Sequence, residues 1–259
     1  MTTRKAINVL FSREYSKLNQ ALSLLPKQCY NLVACPLFDI LSVDKTTQLA
    51  QQFCQAIDAD YLIFTSQYAV IESLAYWQTL GISPAQLQGV TICAVGPIVA
   101  RQLAEYGLNT DMMPELYTAE SLATLFAKVE TNNKTIFFPK GNRAALKLER
   151  VLAEKGYQVN TPVIYKTVLR DVLDDEPAAL LSAKGVDCFA FTSPSSVQAL
   201  SKILGANKTK DILQSSVICA IGTTTYQACE DAGLKVSIMP EEYTIEGLAR
   251  AIKQFYLTN

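Results

Sequence analysis

The strongest constraint on the fold is an internal repeat: segments of this 259-residue chain recur at an offset of 126 or 127 positions. Phe64-Thr65-Ser66 returns as Phe191-Thr192-Ser193, Ala94-Val95-Gly96 as Ala220-Ile221-Gly222, and Gly107-Leu108 as Gly233-Leu234. Pro114, Tyr117-Thr118 and Leu122 return as Pro240, Tyr243-Thr244 and Leu248, and Tyr30 and Pro36 have fainter partners in Tyr157 and Pro162. Short common residue types match by chance, but these anchors keep their order with a single one-residue shift. A supersecondary pattern written twice follows, and the length suits two medium domains.

Within the first copy, apolar runs alternate with helical periodicity. Strands are expected at 7–11, 30–34, 61–64 and 90–95, and helices at 17–25, 46–57, from Ser66 as N-cap to Trp77, after Gly96-Pro97, and from Glu120 behind Thr118. The second copy gives strands at 135–138, 159–163, 188–192 and 217–221. Its helices are expected at 144–155, after Ser193-Pro194, from Thr223, and over 244–255. Tyr61–Phe64 is continuously apolar, as in a strand buried on both faces of a parallel sheet. Strand and helix in alternation mean doubly wound α/β lobes.

Composition excludes several functions. The chain has no histidine, so triads and imidazole shuttles are unavailable. A net charge of -1 gives no pull toward nucleic acid or an anionic membrane surface. Seven cysteines without a C-x-x-C pair suit buried, reduced thiols and a cytoplasmic location. No signal or membrane-spanning pattern is read at the N-terminus or elsewhere, and no metal cluster follows from spacing.

Ligands of open parallel sheets sit beyond the carboxyl ends of the strands. Thr65-Ser66, Gly96-Pro97, Ser193-Pro194-Ser195-Ser196 and Gly222-Thr223-Thr224-Thr225 fall there, offering amides, hydroxyls and helix N-termini to an anion. Helix capping alone explains any one of these loops. Arg13, Lys140 and Arg143 are the basic residues near strand ends, with a solvated surface charge as the plain reading of Lys140. No phosphate-loop or dinucleotide motif occurs. Asp58, Asp60, Asp171, Asp174, Asp175, Glu176, Glu241 and Glu242 read as exposed turn, connector and cap residues. Tyrosine remains as a weak acid; on residues alone Tyr165 reads first as a core or interface tyrosine.

In order and spacing these segments resemble the uroporphyrinogen-III synthase family. The pieces are Ser12-Arg13, Phe64-Thr65-Ser66, Ala94-Val95-Gly96, Lys140-Gly141-Asn142-Arg143, Tyr165-x-Thr167, Phe191 to Val197, Ala220-Ile221-Gly222-x-x-Thr225 and Pro240-x-x-Tyr243-Thr244-x-x-Gly247-Leu248. Ser12, Lys140 and Val99 depart from the family's usual Thr, Arg and Thr. The resemblance implies two flavodoxin-like lobes joined by two extended connectors around an interlobe cleft, with residues 1–36 and 168–259 in one lobe and 37–167 in the other. It implies a lyase that dehydrates and cyclises hydroxymethylbilane to uroporphyrinogen III, inverting ring D through a spirocyclic intermediate. No cofactor or metal is implied, and the protein is expected to be a cytoplasmic monomer in haem and other tetrapyrrole biosynthesis, without nucleic-acid or membrane partners. Residue by residue, Tyr165 takes the catalytic place. Arg13, Thr65, Ser66, Gly96, Pro97, Lys140, Gly141, Arg143, Ser193, Ser195, Gly222, Thr223 and Thr225 take the substrate-binding places. A competing reading from another class is a two-lobed protein that holds a linear tetrapyrrole or polycarboxylate without turning it over.

Overall fold

A computed structural model describes residues 5–116, 119–127, 133–144 and 146–258. Its strands begin with β1 (Ile7–Phe11), β2 (Tyr30–Ala34), β3 (Phe38–Ser42), β4 (Tyr61–Phe64), β5 (Thr91–Ala94) and β6 (Thr135–Phe137). They continue with β7 (Lys140–Gly141), β8 (Gln158–Asn160), β9 (Val163–Leu169), β10 (Cys188–Phe191), β11 (Val217–Ala220) and β12 (Val236–Ile238). The helices are α1 (Asn19–Leu24), α2 (Thr47–Gln55), α3 (Gln67–Thr79), α4 (Pro97–Glu105), α5 (Ala119–Ala127) and α6 (Leu146–Glu154). After them come α7 (Asp175–Ser182), α8 (Pro194–Leu204), α9 (Ala206–Leu213), α10 (Thr223–Asp231) and α11 (Ile245–Thr258).

The elements divide between two compact units, Met1–Asp39 with Leu169–Asn259, and Ile40–Val168. In the first, a parallel sheet runs β12-β11-β10-β1-β2, the strand order of a flavodoxin-like doubly wound domain. In the second, the parallel order is β5-β4-β6-β8, and Met112 bridges Cys93 on the far side of β5. The repeat explains the correspondence: Met112, β5, β4, β6 and β8 stand where Ile238, β11, β10, β1 and β2 stand in the first unit. The Cys93–Met112 bridge repeats the Cys219–Ile238 pairing at the same offset. Each unit therefore combines strands from both copies of the duplicated sequence. All four residues of β4 and of β10 are buried, as expected for central strands covered on both faces.

A matched pair of carboxylates stitches the copies together. Asp60, just before β4, accepts from the Thr135 amide at 2.8 Å and from the Thr135 hydroxyl at 3.0 Å. Asp187, just before β10, accepts from the Asn8 amide at 2.8 Å. Lys134 also donates to Asp60 at 2.7 Å, and with the Thr135 amide it holds the Asp60 carboxyl below its ordinary range. The reading of Asp60 as an exposed turn residue is corrected on this point: it is half-buried and joins β4 to β6.

Other expectations also change. The strand expected at 159–163 is divided by Thr161-Pro162, because proline supplies no ladder amide and constrains its predecessor. β8 stays in the main sheet, whereas β9 pairs with β7 and neighbours β3. The acidic residues read as exposed connector and cap residues keep that reading: Asp174 to Glu176 are exposed and open α7, with Asp175 and Glu176 in its first turn, where carboxylates favour the helix dipole. Asp174 there pairs with Arg170 at 2.8 Å, and Arg170 also pairs with Asp39 at 2.8 Å. Five cysteines are buried, but Cys29 and Cys54 are exposed. The proposed Thr118 cap lies outside the described residues.

Candidate functional site

In each sheet the parallel strands bring their carboxyl ends to one edge, so the expected loops gather there by topology. In the first unit the strand order reverses between β1 and β10. Ser12 closes this point, its hydroxyl accepting from the Thr192 amide at 2.9 Å and lying 3.1 Å from the Ser196 hydroxyl and 3.2 Å from the Ala190 carbonyl. Ser12 and Thr192 are buried, so this network ties β1 to β10. Arg13 beside it is exposed.

The four loops are of two kinds. At α3 and α8 a serine satisfies its own helix: Ser66 accepts from the Tyr68 amide at 3.2 Å and Ser193 from the Ser196 amide at 3.2 Å. The Ser193 and exposed Ser195 hydroxyls lie 3.0 Å apart. At α4 and α10 the cap is a glycine, and among the described residues no side chain caps either helix. Their first helical bonds are Ala100 N to Gly96 O and Tyr226 N to Gly222 O, which leaves the amides of Ile98 and Val99, and of Thr223 to Thr225, without an intrahelical acceptor. Pro97 contributes no N–H of its own. Such a terminus favours an anion by about 0.3–1 kcal/mol at an exposed position.

Each glycine has a physical reason. Gly96 adopts φ 100°, a left-handed conformation costly for other residues. Gly222 is extended, but a Cβ there would lie 3.0 Å from the ring of Tyr243, itself half-exposed beside the α10 terminus. Thr223 is exposed and Thr225 buried.

In the second unit Tyr165 lies on β9, paired with Gly141 of β7. Its ring belongs to the core and is 9% exposed, which meets the core reading, yet its hydroxyl reaches the strand ends and donates to Ser66 Oγ at 3.1 Å. The Tyr68 ring packs 5.9 Å away, centroid to centroid. Asn142 fixes the backbone on either side, its amide donating to Tyr165 O at 3.1 Å and its side-chain oxygen accepting from Thr167 N at 2.8 Å. Thr65, half-buried, precedes Ser66 at the end of β4.

Lys140 is not a solvated charge. It is 6% exposed and its ammonium is paired with Glu149 of α6, which in turn holds the Glu149 carboxyl below its ordinary range. Arg143 nearby is exposed. Ser12, Glu149 and Tyr68 were not singled out for these contacts by sequence reasoning. Only Ser12, directly before Arg13 at a strand end, carried a local signal.

A family model described as uroporphyrinogen-III synthase HemD matches residues 19–250. A protein of Methanothermobacter thermautotrophicus bearing the family's name is 31% identical over 80% of this chain and 82% of its own length. The uroporphyrinogen-III synthase of Chlorobaculum parvum is 29% identical over 74% of this chain and 78% of its own. Among solved structures, a mutant uroporphyrinogen III synthase from Thermus thermophilus has a TM-score of 0.67 at 20% identity, covering 98% of this chain and 100% of that one. The Helicobacter pylori uroporphyrinogen-III synthetase has a TM-score of 0.63 at 18% identity, covering 96% and 99%. At these identities the solved structures speak for the fold.

Proposed function

The chain belongs to the uroporphyrinogen-III synthase family, and on that premise we propose how its own residues act as a lyase of tetrapyrrole biosynthesis. The substrate is hydroxymethylbilane, a linear tetrapyrrole carrying acetate and propionate groups. Pyrrole electron density expels its terminal hydroxyl, and a weak acid suffices to assist. Tyr165 is that acid: its hydroxyl donates to the departing oxygen, which leaves as water. The substituted carbon of ring D then attacks, and a spirocyclic intermediate fragments and recloses with ring D inverted. Most of the enzyme's work is orientation, which converts an unselective closure into one defined path.

Carboxylate grips come from the strand ends of each unit. The uncapped amides behind Gly96 and Gly222 are the strongest donors, joined by the hydroxyls of Thr65, Ser193, Ser195, Thr223 and Thr225, with Arg13 and Arg143 adding charge. Pro97 fixes the start of α4. Lys140, engaged by Glu149, holds the strand that presents Gly141. The observation that carries the reading is the Tyr165 hydroxyl, 3.1 Å from Ser66 beyond the carboxyl end of β4.

The proposal includes a cytoplasmic monomer working without a cofactor, and its seven unpaired cysteines support a reducing compartment. Among the described residues no helix is long and apolar enough to cross a membrane. Incubation with freshly generated hydroxymethylbilane, followed by separation of the uroporphyrinogen isomers, tests the function. Type III product is expected. Type I alone, equal to a protein-free control, overturns it; bilane-dependent thermal stabilisation alongside that result would give a binding protein instead.

A further inference from the structure

Three segments distant in sequence meet at the Tyr165 phenol. Ser66 Oγ is 3.1 Å from its oxygen, although 99 residues separate the two. Gly141 faces the ring: a Cβ there would stand 2.5 Å from Cζ, 2.6 Å from Cε2 and 2.8 Å from the hydroxyl oxygen. No side chain fits in that gap while the phenol stays in place. Gly141 is also buried, and a register shift between Lys140 and Gly141 sets it opposite Tyr165, where the next amide, Asn142 N, donates to Tyr165 O at 3.1 Å.

From this geometry we infer that Ser66 and Gly141 are the positioning residues of Tyr165, with Ser66 reversing its hydrogen bond as the phenol gives up its proton. The inference rests on the reading of Tyr165 as the acid. At rest Ser66 Oγ accepts twice, from the Tyr68 amide and from the Tyr165 hydroxyl, and its own proton is not used in either bond. When the phenolic proton passes to the leaving hydroxyl, the C–O bond breaks, water departs with the bonding pair, and a phenolate remains. The Ser66 O–H then turns to donate to that phenolate across the same contact. A donor that acts only after charge develops stabilises the transition state more than the ground state. The proton lost from the pyrrole carbon at final ring closure restores the phenol, so the cycle balances. Gly141 has a steric part, leaving open the volume in which the phenol stands.

The assignment separates a positioning role from a capping role because Ser66 has both. Ser66→Ala removes both functions. Ser66→Asp keeps an acceptor for the Tyr68 amide, and so keeps the cap, but a carboxylate cannot donate to a phenolate. Ser66→Thr keeps cap and donor. The experiment measures kcat and KM with hydroxymethylbilane for these three variants, Gly141→Ala, Tyr165→Phe and the double variant Ser66→Ala/Tyr165→Phe, with thermal melts of each.

The expected result is a fall in kcat of about tenfold for Ser66→Ala and at least that for Ser66→Asp, KM staying within about twofold, with Ser66→Thr restoring kcat toward the parent. Gly141→Ala should match Tyr165→Phe in kcat, and the double variant should be no slower than Tyr165→Phe alone, since both changes remove one function. If Tyr165→Phe is slow while a stably folded Ser66→Asp turns over like the parent, the positioning role is overturned and the acid stands. Additive losses in the double variant overturn it too. Unchanged turnover in Tyr165→Phe itself would instead remove the acid on which the inference rests.

Discussion

Glu149→Ala should destabilise the Ile40–Val168 unit far more than Lys140→Met, although both break the same ion pair. Lys140 is 6% exposed, so removing its partner strands an ammonium in the interior. Breaking a buried pair in this way costs about 3–5 kcal/mol, and partial solvent access through the one-third-exposed Glu149 side lowers the expectation to about 2–3 kcal/mol. In Lys140→Met the group left behind is the carboxylate, which already meets water, and methionine fills the apolar stem's volume; about 1 kcal/mol or less is expected. The single tryptophan, Trp77, is buried in this unit and reports its unfolding by fluorescence in urea. With a slope of about 2 kcal/mol/M, the Glu149→Ala midpoint should fall by about 1 M. The pH dependence follows from the depressed Glu149 carboxyl. Its contribution is full above the ordinary value of 4.5 and is lost as pH falls through the lower folded value, so the parent should lose more stability across that window than Lys140→Met does. Equal midpoints for the two variants, or a Glu149→Ala shift under about 0.2 M, would refute the reasoning that the buried end is the ammonium.

Asp60→Asn weakens the link between β4 and β6, and its effect should be about 1–2 kcal/mol at neutral pH, shrinking below the ordinary carboxylate value of 3.8 as the parent carboxyl protonates; urea unfolding at two pH values checks this. Gly222→Ala forces the Tyr243 ring to shift and should raise KM for hydroxymethylbilane severalfold with a smaller change in kcat, read from steady-state kinetics. A thiol-reactive chromophore should titrate Cys29 and Cys54 quickly in the native protein and the remaining five cysteines only on unfolding, because burial pushes the thiols of Cys35, Cys93 and Cys229 up to about 12.

Local grammar was readable wherever a residue acts on its own chain neighbours. Ser66 and Ser193 precede apolar helical periodicity and do cap α3 and α8, and the four apolar residues of β4 form a fully buried strand. The repeat carried more than strand positions: Asp60 and Asp187 sit 127 residues apart and perform the same stitch. That stitch was missed because an aspartate before a strand looks like a turn residue until its partner strand is known. Asp174 to Glu176, read as exposed connector and cap residues, are exposed and start α7, because a carboxylate at a helix N-terminus acts on its own chain neighbours. The Tyr165 constellation was out of reach for another reason. Gly141 and Tyr165 meet through a β7–β9 pairing that no periodicity announces, Ser66 joins them only through the Tyr165 hydroxyl, and Glu149 lies on an amphipathic helix whose partner is equally silent.

Orientation as the main source of catalysis is the central claim, and single-turnover isomer analysis of Tyr165→Phe tests it most directly. With enzyme in excess over hydroxymethylbilane, the variant should cyclise more slowly than the parent yet still deliver uroporphyrinogen III, because in the proposed mechanism the loops hold ring D and the phenol only assists departure. Type I product formed at a rate above the protein-free control would contradict the claim, since the phenol would then be setting the path of closure and the loops would not.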